Sequence, residues 1–514
     1  MVHHTYHLAS SLLSPVAIIE IVAFFALMAF IGVYTAKKND STDAYFVGGR
    51  SLPGWAVGLS LLGASISSIT FLALPAAAYT LDYRDIVPNM MLVFITVLAI
   101  IVFIPLFRKG NIISVFEYLE NRFGEITRLY AAVSFLFLQV LRLCTVMFLV
   151  AIPMALFTGE SIITVIIITG IIVAFYTVFG GFEAVVWTDV VQTIILLGGG
   201  LLCLVVILLH IKGGLGGVIT IGIAHNKFNI GSFSFSLTKK TLYMMMIIGL
   251  ITFGTNYISN QNVVQRYIAA KSTREARKAT ILCCVLSVPT WLLFFFIGTA
   301  LFAYFHEFPA PVLAHLDTDQ VLPYFILTKI PSWIAGLVIA GCLAAAMSTL
   351  SSSISAISSV ATIDIFKRYI VKNKSDKTYL NIGRYTSVAA VLAMIIGAIL
   401  VKYIPRTSMV SLGFVLGGMF GGCTLGIYLL GFFTTISNTA VKIGMFTAIA
   451  LNIFLMLDVI GVLPKLITFH LNTYFIMIFV NLTIIVVSIL FGIFLRKKNK
   501  DLADLTAWTM KKLR

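Results

Sequence analysis

The sequence predicts an all-α integral membrane protein of about thirteen transmembrane helices. Of its 514 residues, 60% are hydrophobic and only 11% charged, and mean hydropathy is +1.03. Apolar windows of roughly 20 residues, the length that crosses a bilayer, recur between charged or Gly/Pro-rich breaks. No soluble core uses that much apolar surface. A formal net charge of +16 would suggest nucleic acid in a soluble protein, but here its placement points to a membrane surface, and no nucleic-acid partner is expected.

The predicted spans start near Val16, Trp55, Val87, Tyr130, Ser161, Ala184, Thr241, Ala279, Trp333, Leu380, Ser408, Ala440 and Tyr474. The first, over 16–36, reads as a retained helix rather than a signal peptide: Lys37 and Lys38 follow the apolar stretch, and no small-residue cleavage site is evident. With the N-terminus outside, inner loops carry 26 of the 36 Lys and Arg, outer loops nine, and Arg142 lies within a span. That asymmetry predicts an outer N-terminus and a cytoplasmic C-terminal tail over 497–514. All six cysteines (Cys144, Cys203, Cys283, Cys284, Cys342, Cys423) fall within spans without metal-ligand spacing, and read as small buried hydrophobes.

Two spans carry helix-weakening residues where an apolar middle is expected. The second contains Gly63-Ala64-Ser65-Ile66-Ser67-Ser68, and the seventh Gly254-Thr255-Asn256 followed by Ser259-Asn260-Gln261-Asn262. Five spans separate their starts, a hint of an inverted repeat. Paired breaks of this kind put carbonyls and half-helix ends at mid-membrane, where transporters bind substrate and ions, and a kink without ligand role is the plainer alternative.

The ninth span holds eight hydroxyls in the sixteen positions from Ala344 to Ser359. Ser348, Ser351, Ser352 and Ser355 stand at i, i+3, i+4 and i+7, one stripe of a helix, with Thr349 beside it. Such a stripe serves either a ligand path or close helix packing, and its density favours the former.

Only Arg142 and Asp189 read as ionisable groups well inside spans, and each needs a partner or a function. The planar donor fork of Arg142 suits a carboxylate, so an acidic substrate is the sharper reading against snorkelling or a structural bond to carbonyls. Asp189 near a hydroxyl stripe offers an oxygen cage suited to sodium. A proton relay and a structural role at a span end remain open for it. No nucleophile–base pair or metal cluster appears, and His306 and His315 read as outer-loop residues, so no catalytic residue and no enzyme is expected. A channel or a transporter-based sensor is the rival class.

Together these stretches resemble the sodium:solute symporter family. The motifs are STDAYFVGGR at 41–50, the broken helix with SSITF at 67–71, GGFEAVVWTD at 180–189, QNVVQRY at 261–267 and the serine-rich helix. The resemblance implies a leucine-transporter-like core of two inverted five-helix repeats, over 53–210 and 240–430, with one leading helix and two trailing ones over 438–496. SSITF, the following PAAAYT at 75–80 and Arg142 look like those of the bacterial sodium/sialic acid symporters. Carried over by position, one sodium would be held by the carbonyls of Gly63, Ile66 and Ala345 and the hydroxyls of Ser348 and Thr349. A second would use Asp189, Ser348, Ser351 and Ser352. Arg142 would take the sugar carboxylate, with Ser65, Ser67 and Thr70 on its polar groups and Asn89 nearby, where the sialic acid symporters have Gln. Gly63 stands where they have Ala, a difference expected to matter little because a backbone oxygen is the ligand.

The implied function is two-sodium, alternating-access import of a carboxylated sugar, most of all N-acetylneuraminate, across a bacterial inner membrane. No cofactor beyond the coupling ions is implied, and the protein is expected to work as a monomer. A sodium symporter for another organic acid, such as a monocarboxylate or proline, is the alternative, and a proton-coupled carrier the next.

Overall fold

The computed structural model describes residues 14–37, 39–66, 68–110, 112–235, 241–403, 422–460, 462, 473–495 and 502–509. Among them there is no strand, only an isolated bridge between Leu52 and Ala270. The main helices are α1 (Pro15–Ala36), α2 (Gly54–Ser65), α3 (Ser68–Thr80), α4 (Tyr83–Lys109), α5 (Phe116–Phe123), α6 (Glu125–Thr158), α7 (Ile162–His210), α8 (Leu242–Ser259) and α9 (Gln261–Ala269). They continue with α10 (Thr273–Glu307), α11 (Ser332–Val360), α12 (Asp376–Val401), α13 (Thr424–Phe433), α14 (Asn438–Ile460) and α15 (Thr473–Phe494). Ten described helices are long and apolar enough to cross a membrane, or eleven when the bent pair α2–α3 counts as one span. The span predicted to start near Ser408 falls largely outside the described residues.

Local chemistry explains most boundaries. Ser14 accepts a hydrogen bond from the Ala17 amide (3.2 Å) and Pro15 takes the first position of α1, where a missing N–H costs nothing. Ser161, Ser272 and Ser375 cap α7, α10 and α12 in the same way. The predicted fifth and sixth spans are continuous in α7, whose 49 residues measure about 74 Å, more than twice a bilayer's hydrocarbon core. Gly181 interrupts it in the middle with φ 60° and ψ −160°, at the boundary the sequence predicts between those two spans. A Cβ there would stand 3.0 Å from Asn39 Oδ1 and from the Tyr45 carbonyl. The left-handed φ and that crowding both call for glycine.

Both predicted breaks are present. α2 ends at Ile66 in extended conformation (φ −100°, ψ 108°), and the chain resumes bent by 53°. α8 gives way to α9 at Asn260 (φ −89°, ψ 117°), whereas Gly254 to Asn256 stay helical. The break falls at Asn260 because its side chain accepts from the Asn262 amide (3.0 Å), capping the new helix in place of continuing the old one.

The serine-rich α11 lies at the centre. Across its most apolar window 89% of residues are buried, against 22% in α1 and 28% in α12, which therefore face lipid. Small residues permit this position: a Cβ on Gly341 would meet the Ile195 carbonyl of α7 at 3.2 Å, and one on Gly199 the Val338 Cα at 3.3 Å.

The end of the molecule bearing most Lys and Arg is closed by polar contacts. Arg128 of α6 pairs with Asp364 just beyond α11 (2.6 Å) and with Glu120 of α5 (2.5 Å). Arg108 donates to the carbonyls of Tyr267 and Ala270 (2.5 and 2.7 Å), satisfying the last turn of α9. Residues 502–509 lie against the same surface. Tyr118 donates to the Leu505 carbonyl (2.8 Å), the Ala507 amide to Phe432 (2.8 Å) and Trp508 Nε1 to Phe433 (2.9 Å), while Lys109 pairs with Asp504 (2.5 Å).

Candidate functional site

Two polar constellations lie side by side in the interior. One is centred on Asp189 in the second half of α7, fully buried. Its Oδ1 accepts from Ser348 Oγ (2.6 Å), and its Oδ2 from Ser60 Oγ of α2 (2.5 Å) and Arg266 Nη2 of α9 (2.6 Å). Arg266 also donates through Nη2 to Ser352 Oγ (2.6 Å), through Nε to Ser60 Oγ (2.8 Å) and through Nη1 to the Asn262 carbonyl (2.6 Å). Both charges are 0% exposed.

Arg266, one of the 26 Lys and Arg counted on the inner loops, is therefore a further ionisable group deep in the chain, which corrects the reading of Asp189 and Arg142 as the only two. Arg266 sits in the short helix that follows the second break, and the break turns it inward. Its pairing partner is 77 residues away, so no local spacing announces it. The available signal was the run of Gln261, Asn262 and Gln265 around it, amides that a solvated loop does not need. All nine residues of α9 are buried.

The serine stripe faces this cluster and α9. Ser348, Ser351, Ser352 and Ser355 are all buried. Ser355 accepts from Gln265 Nε2 (3.3 Å) and Ser359 from Gln261 Nε2 (3.1 Å), so the lower part of the stripe is engaged in helix packing. Ser351 turns to the Ser348 carbonyl (3.2 Å). Ser348 donates its proton to Asp189 yet keeps oxygen lone pairs that a cation can use.

Beside Ser348 is the end of α2. A Cβ on Gly63 would lie 2.6 Å from Thr193 Oγ1 and 3.0 Å from Ser348 Oγ. Thr193, itself tied to the Leu59 carbonyl (3.1 Å), takes up the space a Cβ would need, so the packing around this backbone is built for glycine. The break at Ile66 frees α2 carbonyls from helix bonding, and Thr349 lies one turn from Ala345, whose carbonyl it contacts at 3.3 Å.

The second constellation is a cavity of about 270 Å³ whose wall includes Ser65, Thr70, Asn89, Arg142, Asn256 and Trp291. Four of the five predicted substrate residues thus share one space, while Ser67 lies outside the described residues. Among the described residues no carboxylate lies within ion-pair distance of Arg142. Sequence reasoning missed Asn256 and Trp291 as cavity residues, because a polar or aromatic residue in an apolar helix does not reveal which way it faces.

Comparison with known proteins places these features in context. The model of the "Sodium:solute symporter family" matches residues 45–441. The chain is 34% identical over 416 residues to the sodium/sialic acid symporter SiaT of Proteus mirabilis, covering 81% of this chain and 84% of that one. It is 33% identical to the sodium/sialic acid symporter NanT of Aliivibrio fischeri (82% and 83% covered) and 27% to the human sodium-coupled monocarboxylate transporter 1 (83% and 71%). The structure resembles a substrate-bound, outward-open Na+-coupled sialic acid symporter with a TM-score of 0.86 at 30% identity, covering 95% of this chain and 99% of the other. It shares its fold with the nucleobase-cation-symport-1 family transporter Mhp1 in a closed conformation (TM-score 0.55, 13% identity, 87% and 93% covered).

Proposed function

This chain belongs to the sodium:solute symporter family, and from that premise we propose that it imports a carboxylated sugar, N-acetylneuraminate, by sodium-coupled alternating access. The observation that carries the substrate is Arg142 in a polar cavity with no carboxylate among the described residues to hold. A half-buried guanidinium lining a cavity is best satisfied by an anion, and a substrate carboxylate supplies one with matching fork geometry. Ser65, Thr70 and Asn89 offer hydroxyl and amide groups to the remaining polar atoms, and Ser67 completes the set by resemblance.

Two cations would travel with it. The carbonyls of Gly63, Ile66 and Ala345 and the hydroxyls of Ser348 and Thr349 form one oxygen set. Asp189, Ser348, Ser351 and Ser352 form the other, in which Arg266 already touches Asp189 and Ser352. Arg266 then acts as the protein's stand-in cation: a sodium ion arriving at Asp189 competes with it, and the guanidinium holds the carboxylate when the ion leaves. Because Ser348 belongs to both sets, occupation of one biases the other. Coupling is reciprocal, so sodium that tightens substrate is itself tightened by substrate. The charge asymmetry of the loops supports an outer N-terminus and cytoplasmic C-terminus in a bacterial inner membrane.

The test is uptake of radiolabelled N-acetylneuraminate into proteoliposomes. An inward sodium gradient is expected to drive accumulation, and an inside-negative potential to raise it further, since two sodium ions with one monoanion move one net charge, worth about 2.3 kcal/mol per 100 mV. Sodium-independent uptake would sink the coupling. Uptake of a monocarboxylate in place of N-acetylneuraminate would shift the substrate to the chemistry named for the human relative.

Gly63→Ala is expected to weaken sodium. Overpacking costs about 1–3 kcal/mol, which is about tenfold in half-saturating sodium for each 1.4 kcal/mol. Adding Thr193→Ala removes the nearest obstructing atom and is expected to restore much of the loss. Unchanged sodium activation in the single variant would show that the two helices part freely here.

A further inference from the structure

The cavity assigned to substrate is not all the polar space around Arg142. A second cavity, about 180 Å³, lies on the other side of the same side chain, toward the Glu125 end of α6. Arg142, Asn256 and Asn260 border both cavities. Between the two runs a chain of three amides: Asn260 Nδ2 donates to Asn256 Oδ1 (3.1 Å), and Gln139 Nε2 to Asn260 Oδ1 (3.4 Å). Asn260 is also the residue at which α8 breaks into α9. The partition is thus built on the hinge of the broken helix, and its Gln139 contact is long for a hydrogen bond.

Gln139 is only 4% exposed, and its Oε1 has no hydrogen-bond partner among the described residues. A buried acceptor left without a donor is costly enough to need an explanation. Two more groups on this wall have oxygens to spare: Thr255 and Ser259 each donate to a carbonyl one turn back (2.7 and 2.8 Å), which leaves their lone pairs facing outward from the helix backbone. The wall therefore offers acceptors for hydroxyl groups next to a cation for a carboxylate.

We propose that this smaller cavity is a second, inner subsite for a polyhydroxylated carboxylic acid, to which Arg142 passes the carboxylate when the Gln139–Asn260–Asn256 partition opens. The proposal rests on the substrate reading above and goes beyond it in naming a separate place of residence on the release side. It also carries a selectivity: a monocarboxylate without hydroxyl groups has nothing to give Gln139 Oε1, so the inner subsite favours the sugar acid.

Sided membrane vesicles test it, with right-side-out and inside-out preparations compared for N-acetylneuraminate exchange. Gln139→Leu and, independently, Ser134→Ala on the same cavity wall are expected to raise the half-saturating concentration at the face bearing Arg108 and Arg128 at least fivefold. At the opposite face the change is expected to stay within twofold. Thermal stabilisation by sodium equal to that of the wild type shows that each variant is folded. Equal shifts at both faces, or none at either, in folded variants would overturn the inner subsite while leaving the import reading intact. Wild-type vesicles that exchange no N-acetylneuraminate from either face would overturn the substrate reading, and this subsite with it.

Discussion

Arg266→Ala is expected to cost about 3–5 kcal/mol in the absence of sodium, because it leaves the fully buried Asp189 carboxylate without its counter-charge. Against a total folding stability of about 5–15 kcal/mol, a loss of that size is severe. Sodium is expected to return part of it, since an ion held by Asp189, Ser348, Ser351 and Ser352 replaces the missing guanidinium. Melting the variant in choline and in sodium buffer should show a larger sodium-induced rise in Tm than the wild type shows. Removing both charges, with Asp189→Asn and Arg266→Met, should recover much of the stability and abolish the enlarged sodium response. A single variant as stable as the wild type, or one indifferent to sodium, would mean that Asp189 is not a cation ligand.

Arg142→Ala is expected to reduce N-acetylneuraminate uptake by at least a hundredfold. Each hydrogen bond to a charged group is worth about 1.5–3 kcal/mol, and a guanidinium can make two to one carboxylate. Arg142→Lys keeps the charge but not the fork, so it should retain only a small fraction of transport, mostly through a raised KM. Sodium binding, read as thermal stabilisation, should persist in both, because no predicted sodium ligand touches Arg142. Uptake that survives Arg142→Ala would move the carboxylate elsewhere in the cavity.

How much of this was legible in the sequence depended on whether a signal was local. The serine stripe, the breaks near Ile66 and Asn260 and the Gly181 turn are each written in a few adjacent residues, and each appears where composition and spacing put it. Asp189 was legible because a carboxylate in an apolar helix is conspicuous. Arg266 was not: it stands in a segment polar enough to pass for a loop, and only the break that turns α9 inward buries it. The same is true of Arg128, counted with the inner-loop charges yet buried and paired with Asp364 at the closed end. Gly63 shows a third limit. A Cβ there would stand 2.6 Å from Thr193 Oγ1, of a helix far along the chain, and no neighbouring residue announces that contact.

The docked residues 502–509 have a practical consequence for anyone handling the protein. Tyr118, Lys109, Phe432 and Phe433 hold this stretch against α4, α5 and the end of α13, next to the Glu120–Arg128–Asp364 contacts that close that end. A fluorescent reporter or affinity tag fused immediately after it would tug on these contacts. Labels, anchors and surface-immobilisation handles therefore belong at the opposite terminus, and turnover measured with a bulky C-terminal fusion would report the fusion as much as the carrier.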